Sequence, residues 1–262
     1  MAQPVLAAPL SGRYVAMGSS YAAGPGITTP ADQPPTRCAR SRDNYAHQVA
    51  RRLGLDLVDV SCSGATTADL LGPWHELPAQ VAAVTKDTRL VTMTIGGNDL
   101  TFVGNLDAAS CRATLGQTKQ ETACPAVQAP GEGRFTAVER ALHDVVAAVR
   151  ARAPQARIVF VEYPAVLPAT GLCARTPMTG DEADMLRTTA ARLVAITDAV
   201  AQAEKVDVVR FSVRSAGHDA CAADPWIAGY VDGAGQRERV PYHPNLEGMT
   251  AVADDVVALL GA

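Results

Sequence analysis

The sequence predicts a three-layer α/β/α sandwich on a five-stranded parallel sheet, and three observations carry that prediction. Short β-branched runs alternate with stretches of helical periodicity along the chain. The connections between those runs are of crossover length, which parallel strands require and hairpins do not. The chain has 262 residues, 48% of them hydrophobic, enough to bury one large core, so 1–262 reads as a single α/β domain.

In chain order, strands are predicted over 14–17, 55–60, 90–95, 157–161 and 206–210. The first helix, 44–53, is ended by Gly54, and a second is expected over 77–85. A third, 136–152, has Thr136 and Glu139 at capping-box spacing, with Val138, Leu142, Val145 and Val149 on one apolar face. Thr179 and Glu182 repeat that spacing at the start of 179–204, and a last helix covers 247–260. Strands buried on both faces follow from this alternation. Two stretches, 25–42 and 105–134, are rich in Pro, Gly, Thr and Ala and read as long loops of the kind that wall a site.

Net charge is −4, and the 23 basic residues are scattered rather than clustered, so nucleic acid is not an expected partner. No apolar window is long enough to span a bilayer, and no stable membrane insertion is expected. The opening MAQPVLAAPL lacks the basic start and apolar core of a secretion leader. Six cysteines, with no C-x-x-C pair and no zinc spacing, argue against metal and for three disulfides formed in an oxidising compartment. Secretion or residence in the cell envelope is therefore expected, with the leader outside this sequence. A monomer is expected.

In open parallel sheets, ligands bind outside the carboxyl ends of the strands. Three such points carry chemistry here: Gly18-Ser19-Ser20 after the first strand, Ser61-Cys62-Ser63-Gly64 after the second, and Gly96-Gly97-Asn98-Asp99 after the third. Tyr242-His243-Pro244-Asn245 precedes the last helix. Together they supply a hydroxyl, a glycine amide, a carboxamide and an imidazole, which suits acyl transfer without a cofactor or metal. No Gly-x-Ser-x-Gly elbow, Walker loop or zinc-protease pattern is present.

These four ordered blocks, spanning about 14–258, resemble the SGNH or GDSL-like hydrolases, and in particular their actinobacterial secreted lipase and esterase branch. The resemblance implies a flavodoxin-like sandwich and a serine esterase or lipase acting on small-molecule or lipid esters through an acyl-enzyme. It assigns Ser20 as nucleophile and His243 as base. The oxyanion donors would be the Ser20 and Gly64 amides and the Asn98 carboxamide. It also implies cysteine pairing in chain order: Cys38 with Cys62, Cys111 with Cys124, Cys173 with Cys221.

Two positions depart from the family pattern. Ser19 stands where the aspartate of Gly-Asp-Ser is usual, and Val240 stands three residues before the histidine, where the supporting acid is usual. A backbone carbonyl, that of Val240, is therefore expected to orient His243. Glu238, Asp232, Asp224 and Glu247 are the nearby acids, none at the family spacing. Asp99 reads as structural, tying the blocks together through backbone N–H groups. His47, His75 and His143 fit packing or surface roles. His218 is followed by Asp219, but adjacent side chains on extended chain point apart, so it reads as a loop residue. Two other functions compete with hydrolysis: transfer of an acyl group to a sugar or glycerol hydroxyl by the same residues, and a catalytically inactive binding domain.

Overall fold

The computed structural model describes residues 11–115 and 124–261. The opening decapeptide and the stretch 116–123 of the second predicted loop lie outside the described residues. Five strands, β1 (Arg13–Gly18), β2 (Asp56–Asp59), β3 (Thr88–Thr94), β4 (Arg157–Val161) and β5 (Asp207–Val209), form one sheet in the order β2-β1-β3-β4-β5. Every neighbouring pair is parallel. The chain leaves β1 toward one edge and returns to build the other, which opens a crevice at the carboxyl ends of β1 and β3.

Alternation along each strand feeds two cores. Tyr14, Ala16, Leu90 and Val159 face helices α2 (Tyr45–Leu53) and α8 (Leu246–Leu260), where Tyr45, Val49, Met249 and Val256 are buried. Val15, Met17, Val91, Met93 and Phe160 face the opposite way, onto α5 (Glu132–Arg152) and α6 (Gly180–Glu204). On α5 the buried residues include Val138, Leu142, Val145 and Val149, spaced to fall on one stripe. The doubly wound sandwich is thus the observed architecture.

Local structure departs from the sequence reading in several places. The capping box at Thr179 and Glu182 is present, but α5 starts earlier, with Gly131 as its N-cap. Thr136 is one turn inside, where its hydroxyl donates back to the Glu132 carbonyl. The segment 77–85 is only a 3-10 turn, Gln80–Ala83. Gln80 there is turned inward: its carboxamide accepts from Gly18 N–H at 2.7 Å and donates to Gly18 O at 3.0 Å. Much of the predicted loop after β3 is helix α4 (Phe102–Leu115), whose buried face includes the polar Asn105 and Ser110. Three short helices, α1 (Ser20–Ala23), α3 (Thr67–Leu71) and α7 (Phe211–Arg214), are too brief to show a period.

Disulfides join Cys38 to Cys62, Cys111 to Cys124 and Cys173 to Cys221. In the chain-entropy account, each closure removes roughly 3 to 4 kcal/mol of freedom from the unfolded chain.

Candidate active site

Strand β1 ends at Gly18, and the chain turns at once into α1, so Ser20 is the first residue of a helical turn above the middle of the sheet. Its hydroxyl lies 2.7 Å from His243 Nε2. The other ring nitrogen, Nδ1, lies 2.7 Å from the Pro241 carbonyl. A carbonyl only accepts, so Nδ1 carries the proton and Nε2 presents its lone pair to Ser20. The orienting carbonyl is that of Pro241 and not that of Val240. The reason is local: Tyr242 has φ +62°, and this left-handed residue folds the chain so that the carbonyl two positions back meets the ring.

Tyr242 itself is fully buried. Its carbonyl accepts from the Tyr21 hydroxyl and its own hydroxyl meets Ser110 on α4. The backbone brackets the same spot, with Tyr242 N–H on Ala228 O and Ala228 N–H on His243 O. Tyr21 also lies against the imidazole, ring centroids 4.9 Å apart.

Donors converge from the other two strand ends. Gly64 lies in the turn after β2 at φ +89°, and a Cβ there would lie 3.2 Å from the Trp74 ring. The turn is pinned by the Cys38–Cys62 disulfide and by Ser63 N–H on Cys38 O. Asn98 follows β3 and donates from Nδ2 to Ala65 O at 2.8 Å, leaving its second amide hydrogen for another acceptor. Neither the Ser20 nor the Gly64 N–H donates a hydrogen bond among the described residues. Asp99 accepts from Thr67 N–H and hydroxyl, which ties the β3 loop to α3.

Ser19 points the opposite way from Ser20, to the Tyr163 hydroxyl at 3.1 Å. That hydroxyl accepts from Gly97 N–H. A Cβ on Gly97 would come within 2.6 Å of the Tyr163 ring, so only glycine permits the approach. Burial pushes the Tyr163 phenol up to about 12, which keeps it a neutral hydrogen-bonding group.

Ser20, Gly64, Asn98, Val240 and His243 all line one pocket of about 380 Å³. Burial lowers the His243 imidazole below its ordinary value, partly offset by the Pro241 carbonyl and by the charge of Asp107. Asp107, on α4, lines the pocket and pairs with Arg237 at 2.7 Å. It is an acid the sequence reading did not single out; among the described residues Glu238, Asp232, Asp224 and Glu247 make no hydrogen bond or ion pair with the imidazole, whose partners are Ser20 and Pro241. His218 stacks on Trp226 with centroids 3.8 Å apart and does not line the pocket. His143 pairs with Glu204, His47 lies 3.6 Å from Asp59, and His75 stands beside Trp74. Tyr21, Tyr163 and Tyr242 were also missed; the positions of Tyr21 beside Ser20 and of Tyr242 beside His243 were the available signal.

Residues 16–251 match the GDSL-like Lipase/Acylhydrolase family. The chain is 35% identical to Lipase 2 of Streptomyces coelicolor over 259 residues, covering 95% of this chain and 85% of that one. It is 30% identical to a lipase of Streptomyces rimosus over 216 residues, covering 82% and 75%. Among solved structures it is similar to phospholipase A1 from Streptomyces albidoflavus, with a TM-score of 0.74 at 25% identity, covering 94% of this chain and 98% of that one. The extracellular lipase from Streptomyces rimosus gives 0.73 at 25% identity, with the same coverage. The chain therefore belongs to the GDSL-like lipase/acylhydrolase family and is a carboxylic ester hydrolase.

Proposed function

We propose that Ser20 and His243 act as a two-residue catalytic pair on lipid esters, without a supporting carboxylate. The observation that carries this reading is the pair of 2.7 Å contacts of His243, one to the Ser20 hydroxyl and one to the Pro241 carbonyl. His243 Nε2 takes the hydroxyl proton as Ser20 attacks the ester carbonyl, and the tetrahedral oxyanion is met by the Ser20 and Gly64 amides and Asn98 Nδ2. The imidazolium then protonates the departing alcohol. Water enters on the same path, gives its proton to His243, and releases the acid and free Ser20.

The named activities of the Streptomyces lipases and phospholipase support lipid esters as the substrate class. Three disulfides support a site of action outside the reducing cytoplasm, as does the extracellular lipase among the structural neighbours. Among the described residues no helix is long and apolar enough to cross a membrane.

The test is covalent labelling by a fluorophosphonate together with hydrolysis of p-nitrophenyl esters of increasing chain length. Ser20→Ala and His243→Ala are expected to lose both in folded protein. If Ser19→Ala abolishes labelling and Ser20→Ala does not, the assignment of the nucleophile is wrong.

A further inference from the structure

We propose that Arg239 anchors an anionic group on the substrate, so that this site favours esters whose alcohol carries a phosphate. The inference rests on Ser20 and His243 being the reactive pair, and it adds what the rest of the substrate must look like.

Arg239 lines the pocket that holds Ser20 and His243. It also lines an adjoining hollow of about 250 Å³, which shares Ala39 with that pocket and has Thr28, Thr36 and Ser41 in its wall. The side chain runs past Gly26, where a Cβ would lie 4.0 Å from Arg239 Cδ. Arg239 thus stands at the junction between the reacting centre and a polar recess.

The other charges around these two spaces are matched. In the recess, Arg40 Nη2 bonds Asp32 at 2.8 Å. Burial alone would raise the Asp32 carboxyl, but hydrogen bonds from Arg40 and Thr36 outweigh it and hold the group below its ordinary value, so the pair stays ionised. In the reacting pocket, Asp107 is paired with Arg237. Glu238 borders neither of these two but a third, smaller hollow that Arg239 and His243 also line, and among the described residues it makes no ion pair with Arg239. Among the described residues Arg239 makes no ion pair and no side-chain hydrogen bond, and it is exposed. One positive charge therefore remains unmatched at the mouth of a site whose reaction consumes a neutral ester bond.

A guanidinium offers a planar fork that matches phosphate oxygens two at a time. The recess is larger than a bare anion and its wall is polar, so a glycerophosphate-like portion of the alcohol fits its chemistry, with the ester linkage reaching back to Ser20. The carbon chain of the acid is left to the less polar side of the pocket, near Val103.

The experiment compares kcat/KM for two matched pairs: glycerol monobutyrate against its 3-phosphate, and dihexanoylglycerol against dihexanoylphosphatidylcholine below its micellar range. Wild type is expected to prefer the phosphate-bearing member by at least tenfold in one or both pairs. Arg239→Gln should cut that ratio to within about threefold of unity, and Arg239→Glu should invert it. A ratio cancels differences in folded fraction between variants. Loss of preference in both pairs means that the phosphate group suffices, and loss in the second alone identifies a lipid headgroup. A wild type without preference, or an Arg239→Gln variant that keeps it, overturns the inference. Failure of the underlying reading would look different: Ser20→Ala would still hydrolyse the neutral esters.

Discussion

Ser20 and His243 meet across 223 residues of sequence, held by structures of different kinds. Ser20 stands two residues beyond a strand in the interior of the sheet, where β2 and β3 fix the register of β1 on both sides. His243 stands in the segment 215–245, between α7 and α8, where the pairing consists of isolated bridges such as Ile227 with Pro244. Its position comes from buried side chains, above all Tyr242 between Tyr21 and Ser110. One partner is placed by backbone ladders and the other by packing. Damage to the ladders should therefore show as unfolding, and damage to the packing around His243 as a folded but slower enzyme.

The largest effect short of removing the pair itself is expected on the sheet side. Asn98→Ala should lower kcat by about 10² to 10³, with KM little changed, because its donor strengthens only as charge develops on the oxyanion. A raised KM at constant kcat would assign Asn98 to substrate binding. Next comes the contact that joins the two regions. Tyr21→Phe removes the hydroxyl that holds the Tyr242 carbonyl, and misplacement by a fraction of an ångström should cost roughly tenfold to 10² in kcat. The melting temperature should change little, and an equal loss in stability and rate would erase the contrast between the two regions.

Smaller effects concern charge. His243 must be neutral to act as base, and its lowered pKa keeps it neutral further into acid. The acid limb of kcat/KM should accordingly fall below the ordinary imidazole value of about 6.5. Asp107 supports the protonated ring, so Asp107→Asn should shift the limb lower still while costing less than about tenfold in kcat. A loss near 10⁴ would make Asp107 a true third member of the site.

The smallest change is one of stability alone. Buried Glu162 bonds Ser212 through Oε2, whereas its Oε1 and Asp198 Oδ1 have no hydrogen-bond donor. Burial raises the Glu162 carboxyl, and Asp198 raises it further. Its folded pKa lies above its unfolded value, so the carboxyl weakens the fold at neutral pH and this cost fades as pH falls. Glu162→Gln places an N–H donor there and should add about 1 kcal/mol at pH 7 by denaturant titration. No gain would mean that solvent already meets that need.

The same contrast explains what the sequence revealed. The five strands were legible because β-branched runs are their own signal; the blocks that hold Ser20, Gly64 and Asn98 stood out by coming after strands, and the resemblance to the SGNH hydrolases singled out those three residues within them. His243 stood out from its neighbours Tyr242, Pro244 and Asn245. The helix α4 was hidden because Asn105 and Ser110 interrupt its apolar face, their side chains being used for bonds to Gln128 and Tyr242. Pro241 was hidden for a deeper reason. A carbonyl belongs to every residue, and only the left-handed turn at Tyr242 selects which one meets the imidazole.

The three cross-links have one property that bears on how such a chain matures. Each closes on the cysteine next in sequence, across 24, 13 and 48 positions, and no ring overlaps or encloses another. Six cysteines admit about 15 complete pairings, most of them requiring a thiol to wait for a partner beyond its neighbour. Here a chain that is oxidised from its amino end as it emerges reaches the native set directly. The first bond so made pins the turn that carries Gly64, before β3 and the loop bearing His243 have been delivered.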